Sequence, residues 1–338
     1  MICFLFMRLK LSVLDQTPIR KGSTAQDSLL ESIELAKLTD RLGYTRYWLS
    51  EHHNTVTLAG AAPELMIARL GGETQQIRLG SGGIMLPNHS SLKVAENFRM
   101  LEALYPHRID LGIGRAPGGD HPTSQLLNPS NTFEPQEYVQ QIRELHDYFS
   151  ETPTPNNLNG KIRAIPSIES SPAMWALTSS GESAYLAAHF GMGLSYAQFI
   201  NPIGGPEAVK LYKERFKASD DFPEPATNVG IFAFCSEDEK KNDRARFMYG
   251  YRLLSFEKGN FDQLYSFDDI KDYVYSAAEL QRLEYHKNRF YVGTPEELKV
   301  QFEKLATDFQ TEEIVVATFA ETKEDRLESY ELLAKTFI

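Results

Sequence analysis

The stretch Ile109-Asp110-Leu111-Gly112-Ile113-Gly114-Arg115-Ala116-Pro117-Gly118-Gly119 reads as a buried strand that breaks into a glycine-lined loop with one cation at its mouth. Parallel α/β folds place ligands beyond the carboxyl ends of their strands, and glycines there let the backbone approach closely. Arg115 is then set to face an anion.

Working outward from this strand, short β-branched or leucine-rich runs alternate with helical patterns, the signature of repeated βα units and a parallel sheet. Eight candidate strands stand out: Leu9 to Leu14, Thr45 to Ser50, Ile77 to Gly82, Ile109 to Ile113, Met174 to Thr178, Gly193 to Ala197, Val229 to Cys235 and Glu313 to Ala317. Between them Val94, Phe98, Leu101 and Tyr105 fall at helical spacing, as do Leu298, Phe302, Leu305 and Phe309, so both stripes are expected to pack on the sheet. Thr294-Pro295-Glu296-Glu297 has the order of a helix start, and Gly43 that of a helix stop. The length of 338 residues accommodates one large barrel or two ordinary domains.

Two stretches depart from the alternation. Residues 116–173 carry one expected helix, about Glu134 to Phe149, and a Pro/Asn-rich segment, Thr152 to Asn157. Residues 238–293 are polar, aromatic and mostly helical. Each serves either as a lid or pocket wall or as a helical cap or dimer contact.

Composition narrows the classes. A chain with 42% hydrophobic and 24% charged residues has the makeup of a soluble globular protein. A net charge of −11 without a Lys/Arg run repels a phosphate backbone, which argues against nucleic acid. Cys3 and Cys235 are the only thiols; two distant cysteines give neither a disulfide framework nor a metal pattern, and they suit a reducing cytoplasm. The apolar start, Met1 to Met7, is far shorter than the roughly 20 residues a membrane helix needs and lacks a signal-peptide cleavage site. It reads as an extension covering 1–7, with Met7 as an alternative start.

The candidate chemistry lies at strand ends. After the second strand comes Glu51-His52-His53, a local cap or an acid/base pair pointing into a site; zinc is disfavoured by the spacing. After the third comes Gly80-Ser81-Gly82-Gly83, which serves a turn or gives a flat ring room against the backbone. After the fifth comes Thr178-Ser179-Ser180-Gly181-Glu182-Ser183, either a plain serine cap or an anion cradle, the second reading strengthened by Arg115. There is no dinucleotide fingerprint, Walker lysine or nucleophile elbow.

Together with Leu14-Asp15-Gln16-Thr17-Pro18, Leu86-Pro87-Asn88-His89, Ala95-Glu96-Asn97-Phe98 and Val292-Gly293-Thr294-Pro295-Glu296-Glu297, these pieces resemble the bacterial-luciferase-like family of flavin-dependent monooxygenases. The resemblance spans about residues 9–320. It implies an α/β fold of the (β/α)8 TIM barrel type, one domain over 1–338, with insertions after strands 4 and 7. It implies reduced FMN with its phosphate near Arg115, Ser179, Ser180 and Ser183. The ring would lie at Ser81 and Gly82, where a cis peptide bond is expected, and His52 or His53 would act over it as an acid/base or peroxide-stabilising residue. It implies O2 and a small organic molecule as substrates, a separate flavin reductase as electron source, and a homodimer. Two other readings accompany it: an F420-dependent oxidoreductase transferring hydride, and a non-catalytic flavin-binding protein. Thr178 stands where many relatives have glycine, and Gly114 where the luciferase catalytic subunit has cysteine, so light emission is not implied.

Overall fold

The computed structural model describes residues 9–116, 118–150, 162–260 and 262–338; the extension expected at 1–7 and the segment Thr152 to Asn157 lie outside them. Strands β1 (Lys10–Asp15), β2 (Arg46–Leu49), β3 (Arg78–Met85), β4 (Ile109–Gly114), β5 (Ala173–Thr178), β6 (Gly193–Ala197), β7 (Thr227–Cys235) and, beyond a short strand β8 (Phe290–Gly293), β9 (Glu313–Ala317) are all parallel. Eight of them form a closed barrel, because β9 pairs with β7 on one side and with β1 on the other, in the register Lys10↔Glu313 to Val13↔Val316. β8 is the addition: nine-residue β7 pairs with β9 through Val229–Phe232, then outruns the wall and pairs with β8 through Phe232–Cys235.

The helices between strands begin with α1 (Ala25–Leu42), α2 (Pro63–Gly71) and α3 (Ser91–Leu104). After β4 come α4 (His121–Leu127) and α5 (Pro135–Phe149), and then α6 (Gly181–Phe190) and α7 (Gly205–Arg215). The stretch between β7 and β9 holds α8 (Glu239–Glu257), α9 (Phe267–Ile270) and α10 (Ala277–His286), and α11 (Pro295–Phe309) follows β8; α12 (Lys323–Phe337) ends the chain. Their starts follow from local chemistry. Thr24 and Asp27 form a reciprocal capping box on α1, which Gly43 ends at φ 84°, a conformation open to a residue without Cβ. Thr294 and Glu297 do the same for α11. Leu298, Phe302, Leu305 and Phe309 are all buried, as are Val94, Phe98 and Leu101. Tyr105 sits one residue past α3, its hydroxyl donating to Ala68 O at 2.7 Å. α4 departs from the single helix expected after β4. It buries only Ser124 and so shows no apolar stripe, and it starts because the Asp120 carboxylate accepts from Thr123 N at 2.9 Å.

Side chains alternate between the two faces of the barrel wall, and both faces are dry. Leu11, Val13, Tyr47, Leu49, Leu79 and Leu111 pack outward under the helices. Leu14, Trp48, Trp175 and Val315 fill the interior. Its amino end is closed by charge. Arg46 is buried with Nε 2.6 Å from Glu313 and Nη1 2.8 Å from Asp110, and Arg78 reaches Asp110 at 2.6 Å. The Arg46 guanidinium also lies 4.5 Å from the Trp175 ring centre. With that end plugged, the carboxyl rim is the face left for a ligand.

A second buried cluster docks the last helix. Arg326, 1% exposed, bonds Asp15 at 2.7 Å and Glu31 at 2.8 Å. Burial alone would raise the Asp15 pKa, but Arg326, with the Ser32 and Tyr47 hydroxyls, brings it below the ordinary value. Arg326→Ala leaves these carboxylates buried without their shared cation, so urea unfolding should show a loss of about 3–5 kcal/mol. A loss under about 1 kcal/mol would contradict this role for the cluster.

Candidate active site

The rim residues of β2 are organised by one carboxylate. Glu51 is 1% exposed and accepts from His53 Nε2 at 2.7 Å and from Met85 N at 2.9 Å, with His89 Nε2 at 2.9 Å. These partners come from the ends of β2 and β3 and from the residues before α3. Burial pushes the Glu51 carboxyl up, yet the two imidazoles and the Met85 amide bring it down to about 2. Burial likewise disfavours charge on His89, and the Glu51 carboxylate outweighs it, leaving its pKa raised. The turn from Leu86 to His89 is further fastened from the β4 excursion, by Gln141 to His89 O at 2.9 Å and by Asn128 and Asn131 to Pro87 O.

His52 is placed differently from its neighbour. Its Nδ1 lies 3.2 Å from Ser50 Oγ, and no hydrogen bond to Nε2 occurs among the described residues. Desolvation is the main cause of a pKa lowered to about 4, with Arg252 adding to it and Glu51 opposing. At neutral pH the ring is uncharged. His53, in contrast, is held by Glu51, and its backbone N–H donates to Gly118 O at 3.0 Å.

Arg115 follows β4 on an exposed loop, its Nη1 3.2 Å from Glu182 Oε2 in the first turn of α6. The two residues line a cavity of about 540 Å³ together with Tyr138, Gly181, Tyr185 and Leu186. Ser180 caps α6 with no side-chain hydrogen bond, so the first-turn N–H groups face outward without a side-chain acceptor. Ser183 is buried, Ser179 half-buried and Ser180 exposed; none of the three hydroxyls bonds protein among the described residues. Ala184, Ala187 and Ala188 are buried along the face that brings α6 onto the barrel. Thr178 ties the loop: its hydroxyl donates to Ser180 O at 2.8 Å and accepts from Ser180 N at 2.9 Å.

The end of β3 is tighter than a ring slot would be. Ser81 is fully buried and its hydroxyl donates to Gly112 O at 2.8 Å, so only its backbone remains to offer. A Cβ on Gly82 would lie 2.7 Å from Leu14 and 3.0 Å from Trp48, and one on Gly112 would lie 2.1 Å from Ser81 O. These glycines therefore admit neighbouring protein. The cis peptide bond expected at Ser81-Gly82 lies one residue on, at Gly82-Gly83, where the pairing of β3 with β4 shifts register.

The structure thus gathers Arg115 and the start of α6 in one cavity, with His52 and His53 two strands away and the β3 end between them in strand order. Sequence reading missed Glu51 as a hub and His89 as its partner, because their contact joins residues 38 apart. It also missed Arg252, which no local motif marks. Among the described residues no group of His, Cys, Asp and Glu is set to hold a metal ion, and no helix is long and apolar enough to cross a membrane.

The family model described as luciferase-like monooxygenase matches residues 7–311, and the chain belongs to that family. Uncharacterized protein YwcH of Bacillus subtilis is 42% identical, the match covering 97% of this chain and 98% of that one. N-acetyl-S-alkylcysteine monooxygenase of the same organism is 32% identical, covering 96% and 97%. The solved structure of apo-MsnO8 superposes with a TM-score of 0.90 at 36% identity, covering 97% and 98%. More distant structures share the fold, among them 3,6-diketocamphane monooxygenase of Pseudomonas putida in complex with FMN, at 17% identity and a TM-score of 0.70, over 98% of each chain. Another is an F420-dependent secondary alcohol dehydrogenase in complex with an F420-acetone adduct, at 13% and 0.66, over 98% of this chain and all of that one. These two neighbours hold FMN and an F420 adduct in the same fold.

Glu51→Gln removes the negative charge between the imidazoles. NMR titration should show the His89 pKa falling from its raised value, with a stability loss of about 1–3 kcal/mol at neutral pH. Because Glu51 is more acidic folded than unfolded, its contribution is present above about pH 4.5 and drains away as pH falls toward 2. A His89 titration unmoved by the substitution would contradict the carboxylate's role.

Proposed function

We propose that this chain is a monooxygenase that binds reduced FMN and uses O2 to oxygenate a small organic molecule. The observation that carries the reading is a guanidinium set against the uncapped first turn of α6 at one cavity, with the hydroxyls of Ser179, Ser180 and Ser183, on and just before that turn, unengaged among the described residues. That donor set fits a phosphate monoester, since it offers charge-assisted and neutral donors together at the positive end of a helix. Glu182 is the competitor: its carboxylate holds Arg115 and has to yield to an incoming anion.

Arg115, Ser179, Ser180 and Ser183 would hold the phosphate, with the backbone of Ser81 and Gly82 beside the ring. Reduced FMN bound there would supply the two electrons with which one atom of O2 enters the substrate and the other leaves as water. His52 is the residue suited to proton work at that reaction, because its uncharged ring has one nitrogen engaged with Ser50 and the other free to share a proton. His53, gripped by Glu51, is better placed to shape the rim than to move a proton. The stretches after β4 and β7 act as walls that exclude water. A separate reductase as the source of reduced FMN, a homodimer and a cytoplasmic location complete the reading and rest on family resemblance.

Calorimetric titration with FMN and with riboflavin separates the phosphate contribution from the rest. Arg115→Ala should weaken FMN about 10- to 100-fold and leave riboflavin unchanged, the loss expected for a charge-assisted contact; Glu182→Gln should tighten FMN. His52→Ala should spare FMN binding and lower oxygenation. Equal loss of both flavins in Arg115→Ala, or F420 binding in preference to FMN, would contradict the reading.

A further inference from the structure

Buried arginines in this protein come with acceptors. Arg46 has Asp110 and Glu313, and Arg326 has Asp15 and Glu31. Arg252 is the exception. It projects from α8 with no carboxylate and no hydrogen bond among the described residues, its guanidinium carbon 3.4 Å from the centre of the Phe319 ring. Protein surrounds it closely enough for desolvation to pull its pKa down to about 10, yet the side chain keeps some accessible surface and none of its nitrogens is sealed off. A cation in that condition has an open side and no anion of its own to meet it. Phe319 follows β9, and its ring lies 5.4 Å from that of Phe232 on β7, which lies 5.2 Å from Phe199 after β6. All three rings are half-buried. The titratable groups that feel Arg252 are His52 and Tyr249, neither of them an anion at neutral pH.

The strand order makes the placement informative. Around the barrel, β4 and β5, which carry Arg115 and α6, stand opposite β9 and β1. Arg252 is therefore a second cation across the rim from the first, beside the histidine assigned to proton work. An unpaired guanidinium on an aromatic face is worth only about 0.5–2 kcal/mol of cation–π attraction, well short of what stripping its water costs. Its fork geometry matches a carboxylate with two parallel hydrogen bonds. We propose that Arg252 anchors the carboxylate of the organic substrate, whose apolar body lies against Phe319, Phe232 and Phe199, so that the substrate class is an amphiphilic carboxylate. The assignment rests on the reading of this rim as the oxygenation site. It places the carboxylate on Arg252 and leaves the reacting atom of the apolar part near His52.

The test is calorimetry with hexanoate and hexanamide, equal in length and differing in charge, on wild type, Arg252→Gln, Arg252→Lys and Arg115→Ala near neutral pH. Wild type should prefer hexanoate by at least about tenfold, the size of one charge-assisted hydrogen bond. Arg252→Gln should abolish the preference, Arg252→Lys should keep part of it, and Arg115→Ala should keep all of it. If Arg252→Gln does not fold, Arg252→Lys decides, since it must bind hexanoate more weakly than wild type while still preferring it to hexanamide. Anaerobic titration of reduced FMN covers the other possible anion. Arg252→Gln should leave that affinity within about twofold, and a loss of reduced-flavin binding with the hexanoate preference intact would assign the guanidinium to the flavin and overturn the proposal. A wild type without preference, or one whose preference vanishes in Arg115→Ala, would overturn it as well. Failure of wild type to bind FMN while the hexanoate preference holds would instead count against the flavin reading alone.

Discussion

Pairing of β1 with β9 is the constraint on which the molecule depends, because it closes eight parallel strands and so puts every carboxyl end on one rim. Residues far apart in the chain, His52, Arg115, Ser180 and Phe319, come to the same rim for that reason alone. Closure also creates a problem at the opposite end, where the interior would otherwise be an open tube. Arg46, Arg78, Asp110 and Glu313 fill it with paired charge, and Trp48 and Trp175 lie over them. The functional polarity of the barrel follows from these two facts.

Charge is handled in two ways here. Structural charges are matched: Glu51 has His53, His89 and the Met85 amide, and Arg326 has Asp15 and Glu31. Two arginines near the rim are held more loosely. Arg115 is paired with Glu182, a solvent-exposed carboxylate, and Arg252 rests on an aromatic face. A folded protein gains little from such arrangements.

The eight wall strands were legible because each combines a run of apolar residues with a glycine, proline or cap signal at its ends, and buried parallel strands need no longer-range information. β8 and α4 were not. β8, Phe290–Gly293, is four residues long and exists because β7 outruns the barrel, while α4 shows no apolar period. At the site, Arg115 with the α6 serines and the His52-His53 pair could be read because each is a contiguous motif at a strand end. The Glu51 to His89 contact, the burial of Ser81 and the isolation of Arg252 are products of tertiary packing, and no local pattern encodes them. The cis bond expected at Ser81-Gly82 falls one residue before the observed Gly82-Gly83, because three glycines within four residues, Gly80, Gly82 and Gly83, give the sequence no means of choosing among them.

The most direct test is a crystal structure of the protein soaked with FMN. Phosphate density within hydrogen-bond distance of Arg115 and the first turn of α6, with Glu182 turned away and the ring at the end of β3, is the predicted result. Flavin density elsewhere on the barrel, or an intact Arg115 to Glu182 pair with FMN bound at another surface, would contradict the account.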